Sequence, residues 1–140
     1  MSLLVYGINH RTAPLQLREK IAFGESEQPQ SIQNLLSDNS SVKECFIVST
    51  CNRTEIYCSI ESGNSENIKH WLTDEKPVSN EELLNCSYEY WDSDAVSHMS
   101  KVACGLDSMA VGEPQIMGQV KRSIEIANQC SSRRGLRSCD

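Results

Sequence analysis

The chain has 140 residues, enough to bury one hydrophobic core and too few for two substantial ones. Its 39% hydrophobic and 23% charged residues are ordinary for a soluble globular domain, and its apolar stretches are far too short to cross a bilayer. A formal net charge of −6 argues against a nonspecific nucleic-acid binder, without excluding a substrate that is itself an RNA conjugate.

The first element is a strand: "LLVYGINH" (3–10) has the composition of one. Pro14 follows, and its fixed φ suits the first turn of a short helix. In "SIQNLL" (31–36), Ile32, Leu35 and Leu36 stand at i, i+3 and i+4, one face of a helix. "ECFIVST" (44–50) and "EIYCSI" (55–60) read as two more strands. In the second of these Ile56, Cys58 and Ile60 alternate with Glu55, Tyr57 and Ser59, the period-2 pattern of a half-buried strand. "NIKHWL" (67–72) repeats the helical spacing with Ile68, Trp71 and Leu72, and "CSYEYW" (86–91) reads as a fourth strand.

Strand, helix, strand, strand, helix, strand is the split βαβ order. The expected fold is therefore α+β and ferredoxin-like: a four-stranded antiparallel sheet with two helices on one face, over residues 1–92. Beyond it the periodicity turns helical. Ala95, Val96, Met99, Val102, Ala103 and Leu106 fall in one stripe of a helix starting near Ser93 or Asp94, either of which could cap it. Pro114 opens another helix, with Ile116, Met117, Val120, Ile124 and Ala127 on its apolar side. The turn-rich connector "GLDSMAVGEPQ" (105–115) joins them, giving a helical subdomain over 93–130. The closing "SSRRGLRSCD" (131–140) fits no amphipathic pattern and is expected to be a disordered or non-native tail.

The seven cysteines, at 45, 51, 58, 86, 104, 130 and 139, include no CxxC pair and are too dispersed for a disulfide framework. The three histidines are dispersed too, so no metal site is expected. The opening "MSLLVYGINH" lacks the basic, apolar and cleavage regions of a secretory signal. These features predict a reduced, cytoplasmic protein with no membrane attachment.

Cys51 stands apart from the other thiols. It lies in the polar break between two strands, beside Asn52 and Arg53. Asn suits a turn, whereas turning requires no cysteine. A neighbouring guanidinium favours thiolate over thiol, which is how a cysteine becomes a nucleophile near neutral pH. On spacing alone the bland alternative, an incidental cysteine and a solvated arginine, stays open. His98 falls about 100° from the helical stripe centred on Met99, just outside its edge. That is a usual place for a half-packed surface residue, and also for an acid–base group beside the polar connector.

Three stretches carry a resemblance: "YGINHRTAPLQLREKIAF" (6–23), "STCNRTEIY" (49–57) and "HMSKVACGLDSMAVGEPQIMGQVK" (98–121). Together they resemble the N-terminal catalytic domain of the glutamyl-tRNA reductases, in order, over nearly all of residues 3–130. The resemblance implies reduction of the glutamyl group of glutamyl-tRNA to glutamate-1-semialdehyde, the entry to 5-aminolevulinate and tetrapyrroles. Cys51 matches the nucleophile that takes the glutamyl group as a thioester, and NADPH then delivers hydride to that acyl group. Thr50, Asn52 and Arg53 match positions lining the glutamate site, with Arg53 suited to clamp the side-chain carboxylate. Ser108, Glu113, Pro114, Gln115 and Gln119 match further substrate-contacting positions, and His98 matches a histidine important for activity. Chemically, Glu113 could meet the substrate's α-ammonium.

Members of the family continue into a dinucleotide-binding domain and a dimerisation domain, and no GxGxxG occurs in this chain. The resemblance therefore implies a chain that binds no NADPH itself, stays monomeric, and acts at most as a glutamyl-tRNA esterase. The implied partners are glutamyl-tRNA(Glu) as substrate and, for the full-length protein, the downstream aminomutase. Two other classes remain: a ferredoxin-like RNA or metabolite-binding module with an idle Cys51, and a hydrolase using Cys51 and His98. The catalytic reading expects Cys51 to be the most reactive thiol and to approach His98 across the junction of sheet and helices.

Overall fold

A computed structural model of the chain describes residues 1–61 and 63–104. Its elements in order are β1 (Ser2–Asn9), α1 (Leu15–Ile21), α2 (Gln28–Asp38), β2 (Val42–Ser49), β3 (Arg53–Ile60), α3 (Glu66–Glu75), α4 (Asn80–Cys86), β4 (Tyr88–Trp91) and α5 (Ser93–Ala103). The strands form one antiparallel sheet in the order β2-β3-β1-β4, the ferredoxin-like arrangement the periodicity predicts. The connector expected at 105–115, the helix expected from Pro114 and the segment 131–140 lie outside the described residues.

One face of the sheet carries Leu4, Tyr6 and Ile8 of β1, Cys45 and Ile47 of β2, and Ile56, Cys58 and Ile60 of β3. Against it pack Ile32, Leu35 and Leu36 of α2 and Ile68, Trp71 and Leu72 of α3, the same triplets that mark these helices in the sequence. Leu17 and Ile21 of α1 and Leu83 of α4 extend this core. Helix α4 is an addition to the expected pattern, and it replaces the start of the predicted fourth strand, since Cys86 closes the helix and the strand begins at Tyr88. Its signal is a capping box: Ser79 accepts from the Glu82 N–H, and the Glu82 carboxylate accepts from the Ser79 N–H. The Ser79 amide is the main influence holding the Glu82 carboxyl below its usual range.

The opposite face corrects two expectations. Strand β3 is not half-buried, because α5 lies over that face, burying Ala95 and Val102 against Val5, Val48 and Tyr57. The buried residues of α5 are Ala95, His98 and Val102, whereas Val96 is 53% exposed. The stripe is thus rotated from the one read in the sequence, and His98 lies inside it. Neither Ser93 nor Asp94 caps the helix. Asp92 takes the N-cap position at a φ of 52°, and its carboxylate instead accepts from the Leu3 N–H. No helix among the described residues is long and apolar enough to cross a membrane.

Candidate functional site

Cys51 is at the tip of the β2–β3 hairpin, with its neighbours Thr50 and Asn52 half-buried and the cysteine exposed. The turn is closed by the Thr50 N–H on the Arg53 carbonyl (2.8 Å) and by the Asn52 N–H on the Thr50 hydroxyl (3.1 Å). Below the tip, the Ser49 and Thr54 hydroxyls meet at 2.9 Å, and Ser49 accepts from the Phe23 N–H. A second anchor comes from α1, where Arg18 donates through Nη1 to the Cys51 carbonyl (3.0 Å) and through Nε to the Ala13 carbonyl (3.3 Å). Arg18 was not legible as a site residue, because only the packing of α1 beside the hairpin brings it there.

Arg53 begins β3 and is 1% exposed. Its Nη1 lies 3.7 Å from Oε1 of Glu55, so the guanidinium expected to serve Cys51 faces a buried carboxylate. Glu55 is the residue the sequence reading missed. It is 0% exposed and accepts from the Tyr57 hydroxyl on Oε1 (2.8 Å) and the Tyr88 hydroxyl on Oε2 (2.5 Å). His98 Nε2 also rests on Oε2. Burial, and secondarily the Glu55 charge, raises the ionisation of Tyr88 well above the ordinary tyrosine value, so its hydroxyl is a lasting donor.

Gly7 makes room for this group. It pairs with Glu55 on one side and Tyr88 on the other, and a Cβ there would lie 2.4 Å from the Thr54 carbonyl oxygen and 2.9 Å from Glu55 Cγ. His98 itself is 7% exposed, with Tyr90 stacked on its ring at 4.6 Å and Tyr88 tilted against it at 5.5 Å. Beside the ring opens a cleft of about 440 Å³, lined by Arg11, Tyr90, Asp94, Ser97, His98 and Lys101.

The structure thus gathers Arg53 and His98, two of the predicted site residues, around one carboxylate between the sheet and α5. The side-chain partners of His98 among the described residues are Glu55, Tyr88 and Tyr90, and the Cys51 thiol is not one of them. Ser108, Glu113, Pro114, Gln115 and Gln119 lie outside the described residues. Among the described residues there is no group of three His, Cys, Asp or Glu side chains able to hold a metal ion.

Residues 6–137 match the family described as the N-terminal domain of glutamyl-tRNA(Glu) reductase. The chain belongs to that family. Among the relatives of this reductase domain, the glutamyl-tRNA reductase of Pseudoalteromonas translucida is 45% identical over 91% of this chain, and that of Methylococcus capsulatus is 41% identical over 94%. The chain spans only 30% and 31% of the length of these two relatives. The solved glutamyl-tRNA reductase from Methanopyrus kandleri shares the fold with a TM-score of 0.72 and 26% identity, over 91% of this chain and 28% of that one.

Proposed function

We propose that this chain is the glutamyl-recognising, acyl-transferring part of a glutamyl-tRNA reductase. The observation that carries the reading is an exposed cysteine at a braced hairpin tip, in a member of that reductase's N-terminal domain family. The Cys51 sulfur attacks the ester carbonyl of glutamyl-tRNA. A C–S bond forms, the ester C–O bond breaks, and the tRNA leaves with a free terminal hydroxyl carrying the proton that the thiol gave up. Splitting the reaction at a thioester replaces one difficult step by two easier ones. Thr50 and Asn52 form one side of the glutamate site in this reading, backed by the buried Arg53, whose guanidinium faces Glu55. Ser108, Glu113, Pro114, Gln115 and Gln119 belong to it from the segment 93–130.

NADPH supplies hydride chemistry to reductases of this name. The described residues do not fit a dinucleotide: their sheet is antiparallel, with no crevice between parallel strands, and the turn from β1 to α1 reads "NHRTAP", with no glycine to cradle a pyrophosphate. No hydride step is therefore derived for them. Without a positioned nicotinamide, water is the acceptor that remains, and the thioester hydrolyses to glutamate and free thiol.

The test incubates the 140-residue chain with labelled glutamyl-tRNA, with and without NADPH, and separates glutamate from the semialdehyde. Slow release of glutamate, indifferent to NADPH and abolished by Cys51→Ser, is expected. Release unchanged in Cys51→Ser would reject the nucleophile. No release at all, with the tRNA still bound, would favour a binding module. Rapid semialdehyde formation would place a cofactor site in this chain.

A further inference from the structure

We propose that Glu55 is the positioning residue that makes His98 a proton carrier at the cleft, by holding the Nε2–H of the imidazole and leaving Nδ1 as the working nitrogen. The inference rests on the acyl-transfer reading for the reaction the proton serves, while the tautomer stands on geometry alone. Two hydroxyls and an imidazole converge on the Glu55 carboxylate, with the Arg53 guanidinium 3.7 Å away. An ionised carboxylate, with acceptor sites and no donor, satisfies such a set beside a guanidinium. Oε2 therefore accepts one hydrogen bond from the Tyr88 hydroxyl and one from the Nε2–H of His98. The opposite tautomer would set a nitrogen lone pair against a carboxylate oxygen.

The ring is fixed in the remaining directions by the stack of Tyr90 and the edge of Tyr88. Nδ1 has no hydrogen-bond partner among the described residues, and the imidazole lines the cleft. A histidine whose second nitrogen is pinned by a carboxylate is the arrangement that orients and strengthens a base elsewhere in enzyme chemistry. In the acyl-transfer reading Nδ1 takes up the proton released as the Cys51 sulfur bonds the ester carbon, and returns it to the departing tRNA oxygen. The Nε2 proton stays on the imidazole throughout, hydrogen-bonded to Glu55.

Several other groups set the charge around this imidazole: Arg53 and Tyr57 on β3, Tyr88 and Tyr90 on β4, Asp94 and Lys101 on α5, and Arg11 from the turn after β1. Their balance makes a bare activity loss ambiguous, so the decisive readout is spectroscopic. Long-range proton–nitrogen spectra of the histidine-labelled chain, with His98 assigned through His98→Gln, are expected to show the Nε2–H tautomer in the neutral state. Glu55→Gln should mix the tautomers and lower kcat for glutamate release by about 10²-fold with KM little changed. Should Glu55→Gln fail to fold, Tyr88→Phe removes a hydroxyl and keeps the carboxylate, and is expected to retain the Nε2–H tautomer. An Nδ1–H tautomer in the unaltered chain overturns the proposal, as does a tautomer switch in Tyr88→Phe, which would assign the positioning to the hydroxyl. An Nε2–H tautomer in a chain without esterase activity sinks the acyl-transfer reading alone, whereas glutamate release with an Nδ1–H tautomer sinks this inference alone.

Discussion

Cys51 and Cys58 sit on the same hairpin and occupy opposite chemical situations. Cys51 is exposed at the tip, whereas Cys58 lies in the core beneath α2 and α3, where burial pushes its thiol up to about 12. Brief alkylation at about pH 7 should therefore leave Cys45 and Cys58 untouched until the chain is denatured. Cys104 is also exposed and serves as the internal comparator, since any excess at Cys51 reflects more than access. We expect Cys51 to label faster, by mass-spectrometric mapping, and equal labelling would deny it special reactivity. At this scale the sequence exposes its polar anomalies well. Cys51, Arg53 and His98 each interrupt a pattern, and so invite attention. Glu55 does not interrupt one, because a glutamate alternating with Ile56 and Cys58 looks like the wet side of a strand. The contrary signal is in the neighbouring strand: "LLVYGI" is continuously apolar, which implies burial on both faces and hence a cover over Glu55.

The elements themselves are legible wherever periodicity is clean, as in α2, α3 and the paired strands, and less so where a buried polar residue belongs to the buried face. Counting only apolar residues in α5 centres the stripe too near Val96, whereas the true face runs through His98, a polar residue with its partners inside. Gly7 gives this element-level packing a direct test. Gly7→Ala should destabilise the fold by about 1–3 kcal/mol, toward the upper end because part of the obstruction is the backbone of β3. Gly24→Ala is the control: its Cβ would meet only Glu27 Oε2 at 3.8 Å, an ordinary contact. Urea midpoints for the two variants should separate clearly, and equal midpoints would mean that β1 and β3 part more easily than their geometry indicates.

For the molecule as a whole, the buried ionisable groups of the main core predict alkaline weakness. An unfolded cysteine ionises near its ordinary value of 9.0, whereas Cys58 keeps its proton up to about 12. Between those limits the unfolded chain binds fewer protons than the folded one, so stability falls as pH rises, by up to about 1.4 kcal/mol per pH unit for this group. Above the ordinary tyrosine value of 10.0, Tyr6 and Tyr88 act in the same direction, because burial raises both. Urea titrations from about pH 8 to pH 10 should show the decline, and Cys58→Ala should flatten its first part. A decline of undiminished slope in that variant would place the titrating group elsewhere.

The placement of α5 has a consequence in time. A ribosome makes this chain from β1 toward α5, and domains fold as they emerge. Until residues 93–103 are out, neither the cover that α5 provides nor His98 is available to Arg53 and Glu55. The cysteine hairpin can be complete before the imidazole reaches its carboxylate. A nascent chain thus carries the thiol early and the paired histidine late, and arming the site is the work of the last described helix.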